Sequence, residues 1–331
     1  MEIERSFFRD KALSEQLVFV DGISGSGKSM IAPLLSSLKS SELWMIDHIF
    51  EFSLIMHSLG HISRDATKTL INTYADLNCY NLMIGRNVNY RATDDSSVQK
   101  NKLKSLYDKR RDDPDGPIIE KIIRNTKPIN IFMTHYIFYE SKPLFEALGD
   151  RLKIFIIPVR HPYFLVEHWF NQDWDQRMPN DIRDSSLQYR YKEKEYIWHV
   201  KGWEEIYDSL SKSERAIETI YRLSINQEKI EKNFTADEIK RIMIIPFEQF
   251  AVNPVNFFEK ISHILKTKET KETKEVMKIN NIPRTFEKDF IKQQKEKLEY
   301  IFSKEDISSE FQKKLHLMAE EYESKYLKEV L

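Results

Sequence analysis

The sequence predicts a three-layer α/β/α fold with a mostly parallel sheet and helical insertions. Five short apolar runs, each followed by a polar residue or a turn, alternate along the chain with segments of helical pattern. Continuous apolar strands indicate a parallel sheet that helices cover on both faces. A chain of 331 residues is long enough for one large domain of this kind, and we expect residues 1–331 to form it.

The apolar runs predict five strands, and side chains that could face a ligand follow three of them. The strands cover residues 17–20, 43–46, 129–133, 152–159 and 242–245, with helical patterns between them, for example at 141–148 and 204–232. Asp47, His135 and Arg160 follow the second, third and fourth strands. Ligands of open α/β sheets bind beyond the carboxyl ends of the strands, so we expect these side chains to share one crevice.

Two long segments interrupt the predicted sheet. Residues 60–128 are helical and polar, with a predicted loop at 109–117, and residues 171–235 are rich in Trp, Tyr and charge. We interpret both as insertions that cover the crevice and recognise an acceptor; extra helices that only add stability are the alternative. Residues 267–275 are of low complexity and predict an exposed helix end or loop, and residues 286–331 predict a helical tail.

The glycine-rich loop after the first strand predicts a phosphate-binding site and a fold like that of the P-loop NTPases. Residues 22–29 match G-x-x-x-x-G-K-[ST] at every fixed position, and three of the eight glycines of the chain lie there. Glycines let successive N–H groups turn towards an anion, and the following helix adds its positive end. The predicted ligand-binding residues are Gly22, Ser24, Gly25, Ser26, Gly27, Lys28 and Ser29.

Composition narrows the class of protein. The hydrophobic fraction of 41% and the net charge of −1 predict a globular protein with no general affinity for nucleic acid. The single cysteine, Cys79, excludes an internal disulfide and is expected to be a buried apolar residue. The first residues lack the apolar core of a secretory signal, and no apolar run approaches a membrane span. We therefore expect a cytoplasmic location; the sequence does not predict an oligomeric state.

A phosphate loop does not by itself identify the reaction. A metal-dependent nucleoside triphosphatase usually carries an Asp at the end of a neighbouring strand, where it holds Mg²⁺. Thr134 and His135 follow the third predicted strand, and Arg160, His161 and Pro162 follow the fourth, so neither ends in an acid.

Three segments after the loop resemble, in order, the sulfotransferases that use 3′-phosphoadenosine 5′-phosphosulfate (PAPS). Residues 131–148 are similar to a strand that ends in Thr-His, residues 151–170 to a strand that ends in Arg-x-Pro, and residues 242–265 to a strand followed by Phe-Glu-x-Phe and Asn-Pro. The resemblance extends from about residue 15 to about residue 265, with both insertions unmatched.

The resemblance implies a role for four positions and shows a departure at a fifth. Lys28 would act as the lysine of the 5′-phosphosulfate loop, although cytosolic members of the family carry that lysine earlier in the loop. Arg160 would bind the 3′-phosphate, and His168 stands where the family has a second 3′-phosphate ligand, a serine. His135 would be the catalytic base, and Met133 replaces a lysine that usually lies two residues before it.

The chemistry of sulfuryl transfer suits these side chains without the resemblance. Transfer to a hydroxyl needs a base near the acceptor, which His135 can supply, and positive charge near the leaving phosphate, which Lys28 can supply. No metal is required. The expected acceptor is the hydroxyl of a small or carbohydrate-like molecule. The alternatives are that His135 is structural and that Arg160 is a surface ion-pair partner; Glu248, after the fifth strand, is expected to be structural.

Two other functions stay open at the sequence level. An ATP-dependent small-molecule kinase would use Lys28, Mg²⁺ on Ser29 and Asp47 as the base. Basic residues of the first insertion would then close over the phosphates, namely Arg86, Arg91, Lys109, Arg110 and Arg111. A nucleotide-binding protein without catalysis is the second alternative.

Overall fold

The computed structural model describes residues 5–327 except 102, 183, 185 and 306. The strands are β1 (Gln16–Val20), β2 (Ile129–Met133), β3 (Leu152–Val159), β4 (Gln188–Tyr191), β5 (Lys194–Ile197) and β6 (Ile242–Pro246). The helices are α1 (Lys28–Ser36), α2 (His48–Ser58), α3 (Arg64–Met83), α4 (Lys104–Arg110), α5 (Pro117–Thr126), α6 (Lys142–Leu148), α7 (Pro162–Asn171), α8 (Trp174–Asn180), α9 (Glu204–Ser209), α10 (Lys212–Leu223), α11 (Gln227–Asn233), α12 (Ala236–Ile239), α13 (Phe247–Val252), α14 (Val255–Leu265), α15 (Lys271–Ile279), α16 (Phe290–Phe302) and α17 (Ser309–Tyr326).

The central sheet is parallel and has the strand order β2-β1-β3-β6. Alternate residues of β1 enter different apolar clusters, as the two-residue period of a strand requires. Val18 belongs to an apolar cluster that includes residues of α1, α13 and α14, and Phe19 belongs to a second cluster that includes residues of α2, α6, α7, α10 and α17. The predicted three-layer fold and four of the five predicted strands are therefore confirmed.

The predicted second strand at 43–46 is not a regular strand. The segment lies along β2 but forms only isolated parallel bridges, at Ser41 and Met45. The N–H groups of Glu42 and Met45 both donate to β2. These two donors are three residues apart, whereas in a regular parallel strand the residues that donate to the same neighbour are two apart. Between them, the N–H of Leu43 donates to the Tyr107 hydroxyl and that of Trp44 to Ser36 Oγ, so the ladder is interrupted.

The first insertion is helical, as predicted, and a buried ion pair holds it to the body of the protein. The predicted loop at 109–117 is shorter, because Lys109 and Arg110 belong to α4 and Pro117 begins α5. Arg110 makes two hydrogen bonds to the Glu42 carboxylate, at 2.6 and 3.0 Å. Arg86, Arg91 and Arg111 also pair with carboxylates, which argues against the lid of free basic residues expected under the kinase alternative.

The second insertion contains a β-hairpin that the sequence did not predict. β4 and β5 pair antiparallel, with Tyr189 opposite Tyr196. Lys192 and Glu193 form the turn with φ of 46° and 66°. Two positive φ values suit the twist of a tight hairpin but usually require Asn or Gly, so the residue types gave no indication of a turn. The predicted helical run at 204–232 is divided into α9, α10 and α11.

The C-terminal part of the chain is helical. The low-complexity stretch at 267–275 contributes the first half of α15, and Thr270 and Thr273 donate hydrogen bonds to the Ser37 carbonyl at the end of α1. The predicted tail at 286–331 contains α16 and α17, apart from residues 306 and 328–331, which lie outside the described residues. Among the described helices, none has the length and apolarity that crossing a bilayer requires.

Candidate functional site

The glycine-rich loop joins β1 to α1 at the carboxyl edge of the sheet. Among the described residues, the backbone N–H groups of Gly25, Gly27, Lys28 and Ser29 donate to no acceptor. Four free N–H groups at a helix start form a favourable site for an anion. Lys28 is the first residue of α1.

Close packing explains two of the loop glycines. Gly25 and Gly27 have φ of 92° and 105°, which side chains rarely adopt. A Cβ at Gly25 would lie 2.6 Å from His168 Cδ2, and one at Gly27 would lie 2.5 Å from the Phe247 ring. The loop is therefore held between a side chain of α7 and one of α13.

Lys28 is buried in a mixed electrostatic environment. Its side chain is 6% exposed, and its ammonium group donates to the Gly22 carbonyl. Burial lowers the pKa of Lys28 to about 8, against the opposing effect of the Asp21 and Glu51 carboxylates. An anion that binds beside Lys28 would stabilise the charged form of its ammonium group.

His135 is held by a buried carboxylate. Its Nδ1 lies 2.8 Å from Glu51 Oε1, and His48 Nδ1 lies 3.5 Å from Glu51 Oε2. Burial alone would raise the pKa of Glu51, but the hydrogen bonds from His135 and His48 bring that pKa down to about 2. Glu51 is therefore ionised at neutral pH and accepts from Nδ1–H of His135. This hydrogen bond leaves Nε2 as the basic nitrogen of the neutral ring.

Arg160 contacts the phosphate loop and two aromatic rings. Its Nη1 donates to the Gly25 carbonyl at 2.9 Å, and its guanidinium carbon lies 4.7 Å from the centre of the Phe247 ring and 5.1 Å from that of Phe164. Burial lowers the pKa of Arg160. Arg284, after α15, lies 5.6 Å from the same Phe247 ring. Two guanidinium groups thus converge on one ring beside the loop.

His168 and Trp169 of α7 complete this side of the loop. The Trp169 indole N–H donates to the Ser24 carbonyl at 3.1 Å. Burial, with the nearby charges of Arg160 and Lys28, lowers the pKa of His168. The neutral ring can still donate one hydrogen bond to an anion.

A cavity of about 1320 Å³ brings most of the predicted site residues together. Both insertions contribute to its wall, the first through residues such as Leu103 and the second through Trp174. The predicted residues that line the cavity are Ser24, Gly25, Gly27, Lys28, Ser29, His135, Arg160 and His168.

Three predicted residues lie elsewhere. Gly22 and Ser26 line a smaller cavity behind the loop. Asp47 caps α2 by accepting from the Ile49 N–H, and its second oxygen accepts from the Asn78 amide, so this carboxylate has a structural role. Asp47 is not among the residues that line the large cavity, which argues against it as a kinase base.

Glu248 has the structural role that the sequence suggested. Its carboxylate accepts from the His161 N–H and from the Tyr322 hydroxyl, and so connects the end of β3 to α17. Burial raises its pKa, although both hydrogen bonds act in the opposite direction.

The sequence did not reveal three other residues of the site: Glu51, Phe247 and Arg284. Glu51 lies 84 positions from His135, and only the packing of α2 against the end of β2 brings them together. Phe247 was visible as the second residue after the fifth predicted strand, but nothing local connects it to Gly27 or to Arg284. Among the described residues, no group of three or more His, Cys, Asp or Glu side chains could hold a metal ion.

Comparisons with known proteins give structural similarities and no sequence match. No protein-family model matches the chain, and no curated protein matches it. A sulfotransferase domain from the curacin biosynthetic pathway is 13% identical, with a TM-score of 0.44, and the match covers 94% of this chain and 98% of that one.

Two further solved structures are similar at the same level. A sulfotransferase domain from the Synechococcus PCC 7002 olefin synthase has 12% identity and a TM-score of 0.39, over 96% and 98% of the chains. The sulfotransferase STF9 from Mycobacterium avium has 11% identity and a TM-score of 0.36, over 90% and 78%. Because these TM-scores lie below 0.5, the fold assignment depends on the sheet order and not on these neighbours.

Proposed function

We propose that this protein is an enzyme that transfers a sulfuryl group from PAPS to the hydroxyl of a small or carbohydrate-like acceptor. The observation that carries the proposal is the convergence of Lys28, His135 and Arg160 on one cavity at the carboxyl edge of the sheet. The three come from segments that follow three different strands. The resemblance of residues 131–148, 151–170 and 242–265 to PAPS-dependent sulfotransferases gives them their roles.

His135 is the proposed catalytic base. Nε2 removes the proton of the acceptor hydroxyl while the new O–S bond forms and the bond from sulfur to the 5′-phosphate oxygen breaks. Glu51, as the partner of Nδ1, fixes the ring and stabilises the imidazolium that results. Positioned proton transfer of this kind contributes about 10²–10⁴-fold in rate.

Lys28 is the proposed stabiliser of the leaving group. Negative charge develops on the 5′-phosphate oxygen as the S–O bond breaks, and a cation in a site of low dielectric stabilises it strongly. Lys28 now donates to the Gly22 carbonyl, and we expect its ammonium to turn to the donor when the loop is filled. The free N–H groups from Gly25 to Ser29 would bind the remaining phosphate oxygens.

The other end of the donor would lie against Phe247. Arg160 and Arg284 both approach that ring, and two guanidinium groups suit a 3′-phosphate with a charge of nearly −2. His168, beside Gly25, would add a hydrogen bond in the place where the family carries a serine.

A thermal-shift panel tests the identity of the donor. The ligands are ATP, GTP, adenosine 3′,5′-bisphosphate and PAPS, each with and without Mg²⁺. We expect PAPS and the bisphosphate to stabilise the protein without metal, by about 2.7 kcal/mol at 100 times the dissociation constant. Stabilisation only by ATP with Mg²⁺ would instead favour a kinase, a reaction for which the order Lys28-Ser29 in the loop is also suited.

A protein that binds nucleotide without catalysis is the remaining possibility. It predicts the same stabilisation by PAPS but no transfer of sulfur to any hydroxyl acceptor. Incubation with ³⁵S-labelled PAPS and a mixed panel of phenols, alcohols and sugars separates the two, because only an enzyme would label an acceptor faster than the His135→Ala variant does.

A further inference from the structure

Two histidines share the Glu51 carboxylate, and only one of them belongs to the large cavity. His135 Nδ1 lies 2.8 Å from one carboxylate oxygen, and His48 Nδ1 lies 3.5 Å from the other. Among the described residues that line the large cavity, His135 is present and His48 is not. The His48 ring stacks on Phe52, one turn further along α2, at a centroid distance of 5.5 Å. His48 is therefore a second partner of Glu51, placed outside the cavity in which the reaction would occur.

Glu51 can balance the charge of one imidazolium but not of two. Despite burial, the hydrogen bonds from both rings hold the pKa of Glu51 at about 2, so the carboxylate stays ionised while histidines titrate. The first proton that either ring takes up forms a neutral pair with this carboxylate. A second proton would add a positive charge that nothing in the pair compensates. Repulsion between the two rings should separate the two protonation steps by about one pH unit.

His48 is the ring that is better placed to take the first proton. Its side chain is 40% exposed, against 29% for His135, so a charged ring keeps more of its hydration there. The hydrogen bond to Glu51 raises the pKa of His48, and the charge of Asp47 acts in the same direction. These effects outweigh the positive end of α2, of which His48 is the first residue. Protonation of His135 would instead put a second cation into the cavity of Lys28.

The other charged groups around α2 do not reverse this order. Asp21 and Lys28, of opposite sign, both interact with Glu51. Tyr136, which also interacts with Glu51, stays neutral because burial raises its pKa. Among the elements that pack against α2 are α3, α6 and the short turn Phe138–Glu140. Charged side chains of these elements interact with other partners, namely Arg64 and Lys68 with Glu146, Lys142 with Glu238, Asp76 with Arg9 and Arg151, and Glu140 with Lys201 and His57.

We propose that His48 is a positioning residue that acts on His135 through Glu51: it takes the first proton and so keeps His135 neutral and able to act as a base. The inference rests on the proposed function, because it takes His135 as the base of the transfer. A bound donor carries several negative charges, which by themselves favour a protonated His135. A positive charge on His48 opposes that effect and extends activity to lower pH.

An NMR titration of the imidazole ¹⁵N nuclei, in the protein without donor, tests the order of protonation. The signals are assigned with His135→Ala and with His48→Phe, which keeps an aromatic ring against Phe52. In the native protein, His48 should take up its proton at a higher pH than His135. In His48→Phe, His135 no longer shares Glu51 with a second cation, so its titration midpoint should rise by about one pH unit.

The same shift should appear in turnover. The pH at which kcat/KM for a labelled acceptor falls on the acid side should be about one unit higher in His48→Phe. His48→Lys keeps a positive charge and should restore the native profile, whereas His48→Gln keeps only a hydrogen-bond donor and should not. His57→Gln is the matched control and should keep the native profile, because this second histidine of α2 lies beside the Ile62 carbonyl and not beside Glu51.

Two results would overturn the inference. One is an unchanged titration midpoint of His135 in His48→Phe, or in His48→Gln if the first variant does not fold. The other is a His48→Lys variant in which that midpoint rises as far as it does in His48→Gln, since the charge would then have no part in the effect. Because the NMR titration needs no donor, a shifted midpoint without any transfer from labelled PAPS would contradict the proposed function alone.

Discussion

At the scale of single residues, the proposed site depends on how three charged groups share a small space. Lys28, Asp21 and Glu51 interact with one another, and His135 and His48 both lie against Glu51. Lys28 is the one charged residue of the loop at 22–29. We therefore expect a bound anion to shift the pKa of Lys28 more than that of any other group there. Glu51 in turn fixes which nitrogen of His135 is basic.

The affinity for adenosine 3′,5′-bisphosphate should fall as the pH rises above about 8, because burial lowers the pKa of Lys28 to about 8 in the protein without ligand. The anion favours the charged ammonium, so the pKa of Lys28 is higher in the complex than in the free protein. Between these two pKa values the affinity should fall by up to about tenfold per pH unit. Calorimetric titration from pH 7 to pH 10 measures this.

Lys28→Ala is the control for that pH profile. The variant should bind about 1.5–3 kcal/mol more weakly at neutral pH, since one charge-assisted contact is removed. It should also lose the pH dependence above neutrality. A native protein with constant affinity over the whole range, or a variant with native affinity, would contradict the role of Lys28.

His135→Ala should lower turnover with PAPS and a labelled acceptor by about 10²–10⁴-fold and leave donor affinity nearly unchanged. Glu51→Gln should lower turnover as well, because a neutral amide does not stabilise the imidazolium. Imidazole ¹⁵N shifts of His135 test a related claim, that Glu51 keeps the proton of the neutral ring on Nδ1, since they report which nitrogen carries the proton. Asp47→Asn is the matched control, and a larger loss of turnover there than in His135→Ala would make His135 structural.

Residue-level prediction from sequence found the loop lysine and the histidine but not the carboxylate. Lys28 is fixed by a local motif, and His135 by its place directly after an apolar strand. Glu51 lies in the first turn of α2, where an acidic residue is ordinary in any helix, so nothing local marks it as part of a site. Its role depends on the packing of α2 against the end of β2, which neither segment encodes alone.

At the scale of elements, the loop functions as part of a packed unit with α7 and α13. His168 and Phe247 touch Gly25 and Gly27 from opposite elements, so the loop shape depends on residues far away in the sequence. The four confirmed strands were predictable because buried parallel strands are continuous apolar runs. The β4–β5 hairpin was not, because Lys192 and Glu193 are unusual residues for its turn.

Gly25→Ala should destabilise the protein by about 1–3 kcal/mol and weaken donor binding, because its backbone lies at a positive φ and its Cβ would collide with His168. The double variant Gly25→Ala/His168→Ala should recover the part of the loss that comes from the collision. Urea unfolding of the native protein, of Gly25→Ala, of His168→Ala and of the double variant gives the coupling energy between the two positions. Strictly additive losses would show that His168 does not restrain the loop.

At the scale of the whole molecule, one cavity is assembled from the sheet edge, α1, both insertions and the segment after α15. The sequence predicted the edge of the sheet, because strand ends carry recognisable motifs. It did not predict how the insertions attach, because that depends on long-range polar pairs such as Arg110 with Glu42. The position of the low-complexity stretch at 267–275 likewise depends on long-range hydrogen bonds, which it makes with Ser37 and Lys39.

Glu42→Ala should destabilise the protein by about 3–5 kcal/mol, because it leaves the buried Arg110 charge without its partner. Arg91→Ala, which breaks the exposed pair with Asp94 in the same insertion, is the matched control and should cost less than about 1 kcal/mol. Urea unfolding of both variants measures the difference. Equal effects would mean that the buried pair does not anchor the insertion.

Calorimetric titration of adenosine 3′,5′-bisphosphate against adenosine 5′-phosphate, in the presence of EDTA, tests the central proposal most directly. If Arg160 binds the 3′-phosphate, the bisphosphate should bind about 1.5–3 kcal/mol more tightly than the monophosphate. Arg160→Ala should then bind both ligands with similar affinity. Equal affinities in the native protein, or a preference that Arg160→Ala leaves intact, would contradict a PAPS donor in this cavity.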